Sequence, residues 1–283
     1  MVAKIIDGRK IAADIRRQVG VDVNKLKSKY GSAPHIFTIK IGEDPASNLY
    51  LRLRDKACAE VGIVSKHLEF DKIVSEKKVL DSIKKLNKDK KVHGILIQLP
   101  IPGNIDQSKL INAIDPKKDV EGFTPENMGR LLSGAEKIIP CTPLSVLKIL
   151  EHEKVVFEGA DVVIVNHSTV VGKPLAALLL NRNATVSVVH VFTKDLKNYS
   201  TNADILISAA GVPKLITDTY VKKDSFIVDV GIVKTDDGIC GDVDFESVRQ
   251  KAGKITPVPG GVGPVTVACS ILNMVKTFKN CML

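Results

Sequence analysis

Two side chains able to do chemistry stand four residues apart, Tyr50 and Arg54, in a stretch that opens Glu43-Asp-Pro-Ala-Ser-Asn-Leu. Residues at that spacing on a helix lie about 40° apart, so both can face one cleft, with Ser47 as the expected helix cap. Taken alone, such a tyrosine is more commonly a half-buried packing residue. Gln98 sits where the buried run Gly94-Ile-Leu-Ile-Gln-Leu meets Pro100-Ile-Pro-Gly, and proline ends the strand there. The C-terminal ends of strands are where open α/β sheets hold ligands. A third candidate is Val165-Asn-His-Ser-Thr-Val-Val-Gly-Lys-Pro174, a strand-to-helix turn of the kind that binds phosphate. It lacks a Gly-x-Gly-x-x-Gly pattern. Gly172 is its one glycine, Asn166 tolerates positive φ, and Ser168 is small enough for close approach of backbone. A plain surface turn is the simpler reading. The fourth is Thr256-Pro-Val-Pro-Gly-Gly-Val-Gly-Pro264, stiffened by proline and opened by glycine just before a helix. It suits either a ligand passing over the helix start or a rigid connector.

Other chemistries lack support. The six histidines show no metal-ligand spacing, and no Gly-x-Ser-x-Gly elbow marks a serine hydrolase. Cysteines 58, 141, 240, 269 and 281 are odd in number and contain no Cys-x-x-Cys pair, so neither a disulfide framework nor a zinc site is expected, and a reducing cytoplasm fits. The net charge of +9 is spread along the chain, and only 4% of residues are aromatic, which argues against nucleic acid and allows an anionic small molecule. No apolar run reaches bilayer length, and no secretory signal opens the chain.

The elements that must position these residues alternate. Helices are expected over Ile11–Tyr30, Ser47–Val61 and Ser75–Leu86, and strands over His35–Ile41 and Val92–Leu99. This is a βαβ rhythm with a parallel sheet. A second rhythm follows Pro140-Cys-Thr-Pro143: a helix over Leu144–His152, strands at Ala160–Val165, Thr185–Val189, Ile205–Ala209 and Ser225–Val230, and a helix from Gly172. At 283 residues, two domains are the expectation. The final helix, Gly263–Phe278, is long enough to return to the first domain.

Asp44-Pro-Ala-Ser-Asn-Leu-Tyr50, Gly94 to Pro100, Lys118-Asp-Val-Glu-Gly-Phe123, Pro140-Cys-Thr-Pro143, Val171-Gly-Lys-Pro174, Asp229-Val-Gly-Ile232, Gly241-Asp-Val-Asp244 and Thr256 to Pro264 together resemble the methylenetetrahydrofolate dehydrogenase/cyclohydrolase family along nearly the whole chain. The resemblance implies an α/β folate domain over 1–142, completed by 272–283, and a Rossmann-type dinucleotide domain over 143–271, with a cleft between them. It also implies a homodimer, NADP as cofactor with NAD possible, and tetrahydrofolate as substrate carrier. Tyr50 becomes the floor for a flat pterin, and Gln98 a partner that both donates and accepts hydrogen bonds. Arg54 and Glu121 join them as catalytic residues; Leu99, Pro100, Pro259, Gly260 and Gly261 border the substrate, and Asn166, His167, Ser168, Val191 and Ile232 contact the cofactor.

The chain departs from the family at four places. Lysine is usual where Arg54 stands, aspartate where Glu121 stands, Gly-Arg-Ser where Asn166-His167-Ser168 stands, and serine where Val191 stands. Hydride transfer needs chiefly positioning and survives these changes. Proton exchange in the cyclohydrolase step is another matter, because a guanidinium stays protonated, so weak or absent hydrolysis is expected. No acidic residue lies in Thr185–Thr193 to hold a ribose hydroxyl, which favours NADP, with a margin reduced by histidine in place of arginine. The alternatives are a dehydrogenase alone, another Rossmann oxidoreductase, or a folate-binding protein without catalysis.

Overall fold

The computed structural model describes residues 2–236 and 238–283. In chain order the first elements are β1 (Lys4–Ile5), α1 (Gly8–Tyr30), β2 (His35–Ile41), α2 (Pro45–Val61), β3 (Val64–Phe70), α3 (Glu76–Lys88), β4 (Gly94–Ile97), α4 (Gln107–Asn112), α5 (Pro125–Leu132) and α6 (Cys141–His152). They are followed by β5 (Asp161–Val165), α7 (Gly172–Leu180), β6 (Thr185–Val189), α8 (Leu196–Ser200), β7 (Ile205–Ser208), β8 (Phe226–Asp229), β9 (Val233–Thr235), β10 (Gly238–Cys240), α9 (Phe245–Val248), β11 (Lys254–Ile255) and α10 (Val262–Met282). Two compact units result, one of residues up to Ala12 with Thr142–Thr266, the other of Ala13–Cys141 with Val267–Leu283.

The second of these units is built on a parallel sheet of order β3-β2-β4. Parallel neighbours need crossovers, and α2 and α3 supply them. Every residue of β4 is buried, which is why it reads as a continuous apolar run rather than an alternation. Ile36 and Leu96 face a core shared with Val19, Val23, Met274 and Phe278, whereas Ile39, Ile95 and Ile97 face another with Val79, Ile83 and Leu110. Gly94 is required by close packing: a Cβ there would fall 2.4 Å from the Met274 sulfur. Beyond β4 the chain returns alongside it, Ile95 donating to the Lys118 carbonyl at 2.7 Å and accepting from the Val120 amide at 3.3 Å. That return lays Glu121 at the sheet edge.

The other unit is a six-stranded parallel sheet of order β1-β11-β8-β7-β5-β6. Chain order reverses at β5, with β6 on one side and β7 on the other, so the C-terminal ends of β5 and β7 form the switch point at which such sheets bind nucleotides. Its core includes Val163, Val165, Val189, Leu206, Ile227 and Ile255.

Four expectations need correction. Residues 1–12 were assigned with the first domain, yet Lys4 and Ile5 pair with Lys254 and Ile255 in the six-stranded sheet; a two-residue strand leaves no periodic signal. Residues 267–271 were assigned to the dinucleotide domain, yet they group with the folate-side unit from Val267 onward, because α10 runs unbroken and no breaker marks the division. The strand β3 was missed, since its residues are only half-buried and mix Lys, His and Glu with apolar positions. Finally, Asp44 rather than Ser47 caps α2, its carboxylate accepting from the Ser47 amide at 2.7 Å while Pro45 occupies the first turn.

Candidate active site

The site in the three-stranded unit grows from α2. The Asp44 cap frees the Ser47 hydroxyl to donate to the Leu99 carbonyl at 2.9 Å. The same carbonyl accepts from the Gln98 side-chain amide at 2.9 Å, which fixes that amide beside the first turn of α2. The opposite end of the amide, Gln98 Oε1, is buried without a hydrogen-bond partner. Two turns along α2, Arg54 is 0% exposed. One of its terminal nitrogens donates to the Thr38 hydroxyl, whereas Nε and Nη1 have no partner. Buried polar atoms are nearly always paired, so each of these orphans is a candidate to meet a ligand.

Glu121 is half-buried nearby. Its segment is held from below: Lys118 Nζ donates to the Leu86, Asn87 and Asp89 carbonyls at 3.0, 2.7 and 2.8 Å, closing the C-terminal end of α3. Buried Asp119 accepts from the amides of Gly122 and Thr124 and from the Asn127 side chain. Gly122 takes φ +72°, and a Cβ there would press on the 138–140 backbone, so the turn after Glu121 needs glycine. Burial lifts the Glu121 carboxyl to about 7, with Arg54 and a Cys141 hydrogen bond opposing and Asp119 adding. Burial likewise pushes the Tyr50 hydroxyl up, Glu121 and Cys141 adding to the effect while Arg54 and a hydrogen bond with Ser270 oppose it. Cys141 is raised by burial and by Glu121, and it sits between the Val120 carbonyl and the Asn273 amide.

In the six-stranded unit the loop from β5 to α7 is organised by one side chain. Asn166 Oδ1 accepts from the Ser168 amide at 2.8 Å, the Ser168 hydroxyl at 2.7 Å and the Gly172 amide at 3.0 Å, while its Nδ2 donates to the Ala209 carbonyl at 2.6 Å. Asn166 therefore works through its amide and not, as its type suggested, through a left-handed backbone; it is absent from the positive-φ residues. Gly172 is needed for contact: a Cβ would lie 2.0 Å from the Asn166 carbonyl oxygen. This leaves a tight, glycine-floored turn at a helix start, which fits a dinucleotide phosphate.

Around it stand exposed groups. His167 stacks on His190 with ring centroids 4.4 Å apart, and Val191 and Ile232 are 83% and 67% exposed. No carboxylate stands between β6 and Thr193. The Pro259-Gly-Gly loop differs from expectation in detail. Gly261 donates its amide to the Pro257 carbonyl at 2.8 Å rather than presenting it, and a Cβ at Gly8 would lie 1.8 Å from the Gly261 oxygen. The exposed Pro259 and half-buried Gly260 form the open part of the turn.

Sequence reasoning assigned no role to the carboxylates behind this rim. Asp242 accepts from the Ser208 hydroxyl at 2.8 Å and from the Ala210 and Val212 amides at 2.6 and 3.0 Å. Asp229 accepts from the Gly231, Asp242 and Val243 amides at 2.9–3.0 Å. The available signal was glycine beside aspartate, since a Cβ at Gly231 would strike Asp242, and one at Gly241 would strike Asp229.

One unit with a parallel sheet and a glycine-floored loop at its switch point, and another carrying unpaired buried Arg and Gln atoms, define a dinucleotide-dependent enzyme class. The family comparisons are more specific. The catalytic-domain model of tetrahydrofolate dehydrogenase/cyclohydrolase matches residues 6–121, and its NAD(P)-binding-domain model matches residues 140–282. The bifunctional protein FolD of Methanococcoides burtonii is 50% identical over 265 residues, 94% of this chain and 93% of that protein. The crystal structure of the bifunctional FolD methylenetetrahydrofolate dehydrogenase/cyclohydrolase from Campylobacter jejuni superposes with TM-score 0.96 at 44% identity, covering 98% of this chain and 99% of that one. The Trypanosoma brucei methylenetetrahydrofolate dehydrogenase-cyclohydrolase, solved with NADP and an inhibitor, gives TM-score 0.94 at 35% identity over 99% of this chain and 98% of that one. The chain belongs to the tetrahydrofolate dehydrogenase/cyclohydrolase family.

Proposed function

We propose that this protein oxidises methylenetetrahydrofolate to methenyltetrahydrofolate with NADP and hydrolyses the product to formyltetrahydrofolate, its bifunctional relatives supporting retention of the second step over the loss expected from Arg54. The observation that carries the reading is that the match to bifunctional relatives covers both units, at 50% identity in the M. burtonii case. The unpaired atoms of Arg54 and Gln98 fall within the stretch matched by the catalytic-domain model.

In this reading Tyr50 supplies the face on which the pterin lies, and Leu99 and Pro100 border it. Gln98 offers its free oxygen to a donor on the substrate, and Arg54 offers two unused N–H groups to acceptors. Glu121 binds at the same ring. The Asn166–Gly172 turn and Ser168 hold the cofactor phosphates, Ile232 and Pro259 to Gly261 border the nicotinamide side, and His167, His190 and Val191 surround the adenosine 2′-phosphate. When bound, NADP supplies the ring that accepts the hydride. The absence of an acidic group at the end of β6 favours the phosphorylated cofactor over NAD. A homodimer in the cytoplasm completes the reading, the dimer being the family's habit and the compartment suiting five free cysteines.

The test mixes the protein with methylenetetrahydrofolate and either NADP or NAD, following methenyl and reduced-cofactor absorbance together. Both should appear, faster with NADP. Binding of folate with no cofactor reduction would make the protein a folate binder instead.

A further inference from the structure

The inference rests on the proposed function and concerns its hydrolytic step. Addition of water to the methenyl carbon and collapse of the adduct both move protons. We propose that Glu121 is the catalytic residue that exchanges this proton, with Arg54 as the fixed positive charge beside it.

The groups that face Glu121 are Tyr50 and Arg54 from α2, Asp119 from its own segment and Cys141 from α6, with Cys269 of α10 beside Cys141. Each alternative fails on its own chemistry. Arg54 is fully buried, yet a guanidinium does not deprotonate at working pH. Tyr50 and Cys141 are pushed upward, away from neutrality. Asp119 spends its carboxylate on two backbone amides and the Asn127 side chain. The Gln98 amide does not titrate. Glu121 remains: it is half-buried rather than sealed, carried on a braced turn, and lifted to about 7, where both of its forms are populated.

The step balances. Water bonds through oxygen to the methenyl carbon while one O–H breaks and its proton passes to the Glu121 carboxylate. In collapse, the remaining hydroxyl proton leaves to solvent as the carbonyl forms. The bond from that carbon to N5 breaks, and N5 keeps the electron pair and takes the proton back from Glu121. One water is consumed, one proton is released, and the positive charge of the methenyl group leaves with it.

The experiment is the pH profile of methenyltetrahydrofolate hydrolysis by the full chain, corrected for buffer, with dehydrogenase activity followed alongside. The unmutated protein should show kcat for hydrolysis rising with pH through a limb near 7. Glu121→Gln should erase the limb and lower the ratio of hydrolysis to hydride transfer by at least about thirtyfold, the order expected for one general acid–base group. Glu121→Asp should restore a limb. Arg54→Gln, which keeps Glu121 but removes the neighbouring charge, should move the limb to higher pH. A limb that survives Glu121→Gln, or equal loss of both activities with the profile unchanged, overturns the inference. Should Glu121→Gln not fold, an unmoved limb in Arg54→Gln overturns it. Absence of both activities in the unmutated protein instead overturns the proposed function, and this inference with it.

Discussion

Two sets of buried polar groups in this molecule are opposite in bonding. Around Asp229 and Asp242 every carboxylate is engaged, each by three donors. Arg54 Nε and Nη1 and Gln98 Oε1, by contrast, are buried with nothing to bond. A satisfied network holds loops in one shape, whereas an unsatisfied one costs stability and persists for a ligand. The first set therefore reads as scaffold and the second as the proposed site.

The comparison breaks most visibly at the scaffold. Asp242→Ala strands the Ser208 hydroxyl and the Ala210 and Val212 amides, which should cost on the order of 3–5 kcal/mol. The expected result is a lower urea midpoint with an unchanged slope, whether or not cofactor is present. A change below about 1 kcal/mol would mean the network is not what holds these loops.

This contrast explains which parts were legible beforehand. Tyr50, Arg54, Gln98 and Glu121 could be picked out because type and spacing put them on a helix face, a strand end and a recognisable motif. The long helices α1, α2, α3, α6, α7 and α10 and the strands β2, β4, β5, β6, β7 and β8 announced themselves by periodicity or by apolar runs, whereas the short helices α4, α5, α8 and α9 went unread. Asp229 and Asp242 did not announce themselves, since a side chain that bonds backbone amides from distant loops leaves no local pattern. The strand β1 was hidden for the same reason, its pairing with Lys254 and Ile255 spanning nearly the whole chain. Asn166 was legible as a loop residue, but its mode of action was not, because three acceptor contacts at one oxygen depend on the folded turn.

The next effect is on pH. Glu121 has its folded value raised from 4.5 to about 7. The folded protein then holds the proton more tightly than the unfolded chain, so the stability this group contributes is complete below about 4.5 and is lost as pH rises through about 7. For a half-buried carboxyl the loss should be about 2 kcal/mol, and Glu121→Gln should remove that slope. Thermal unfolding of the two proteins between pH 4 and 8 measures it; parallel curves would place Glu121 in ordinary solvent.

At the site itself, Arg54→Met should do the reverse of the scaffold mutation. It removes a buried cation with two unpaired nitrogens and substitutes apolar volume, so stability should hold or rise by about 1–2 kcal/mol. Measured at pH 6, where Glu121 carries its proton, the urea midpoint isolates this effect from loss of a charge partner. A fall of several kcal/mol would show that Arg54 is scaffold after all.

The smallest effect belongs to the exposed rim, where side chains are neither satisfied nor stranded. Exposed His167 stacks on half-buried His190, whose Nδ1 accepts from the Phe192 amide at 3.3 Å. Neutral imidazole grips a 2′-phosphate less firmly than a guanidinium, whose two parallel N–H groups match two phosphate oxygens and whose charge does not titrate. His167→Arg should therefore raise the ratio of kcat/KM for NADP over NAD by roughly fivefold, about 1 kcal/mol, through a lower KM for NADP with kcat for hydride transfer little changed. The gain should shrink with added salt, because a pair at an exposed rim is screened. Since the residue is exposed and its one ring contact is the stack on His190, the unfolding free energy should stay within about 0.5 kcal/mol of the unmutated protein. An unchanged cofactor ratio would move the 2′-phosphate away from this rim; a large loss of stability would mean that the imidazole stack is a structural contact rather than an open edge.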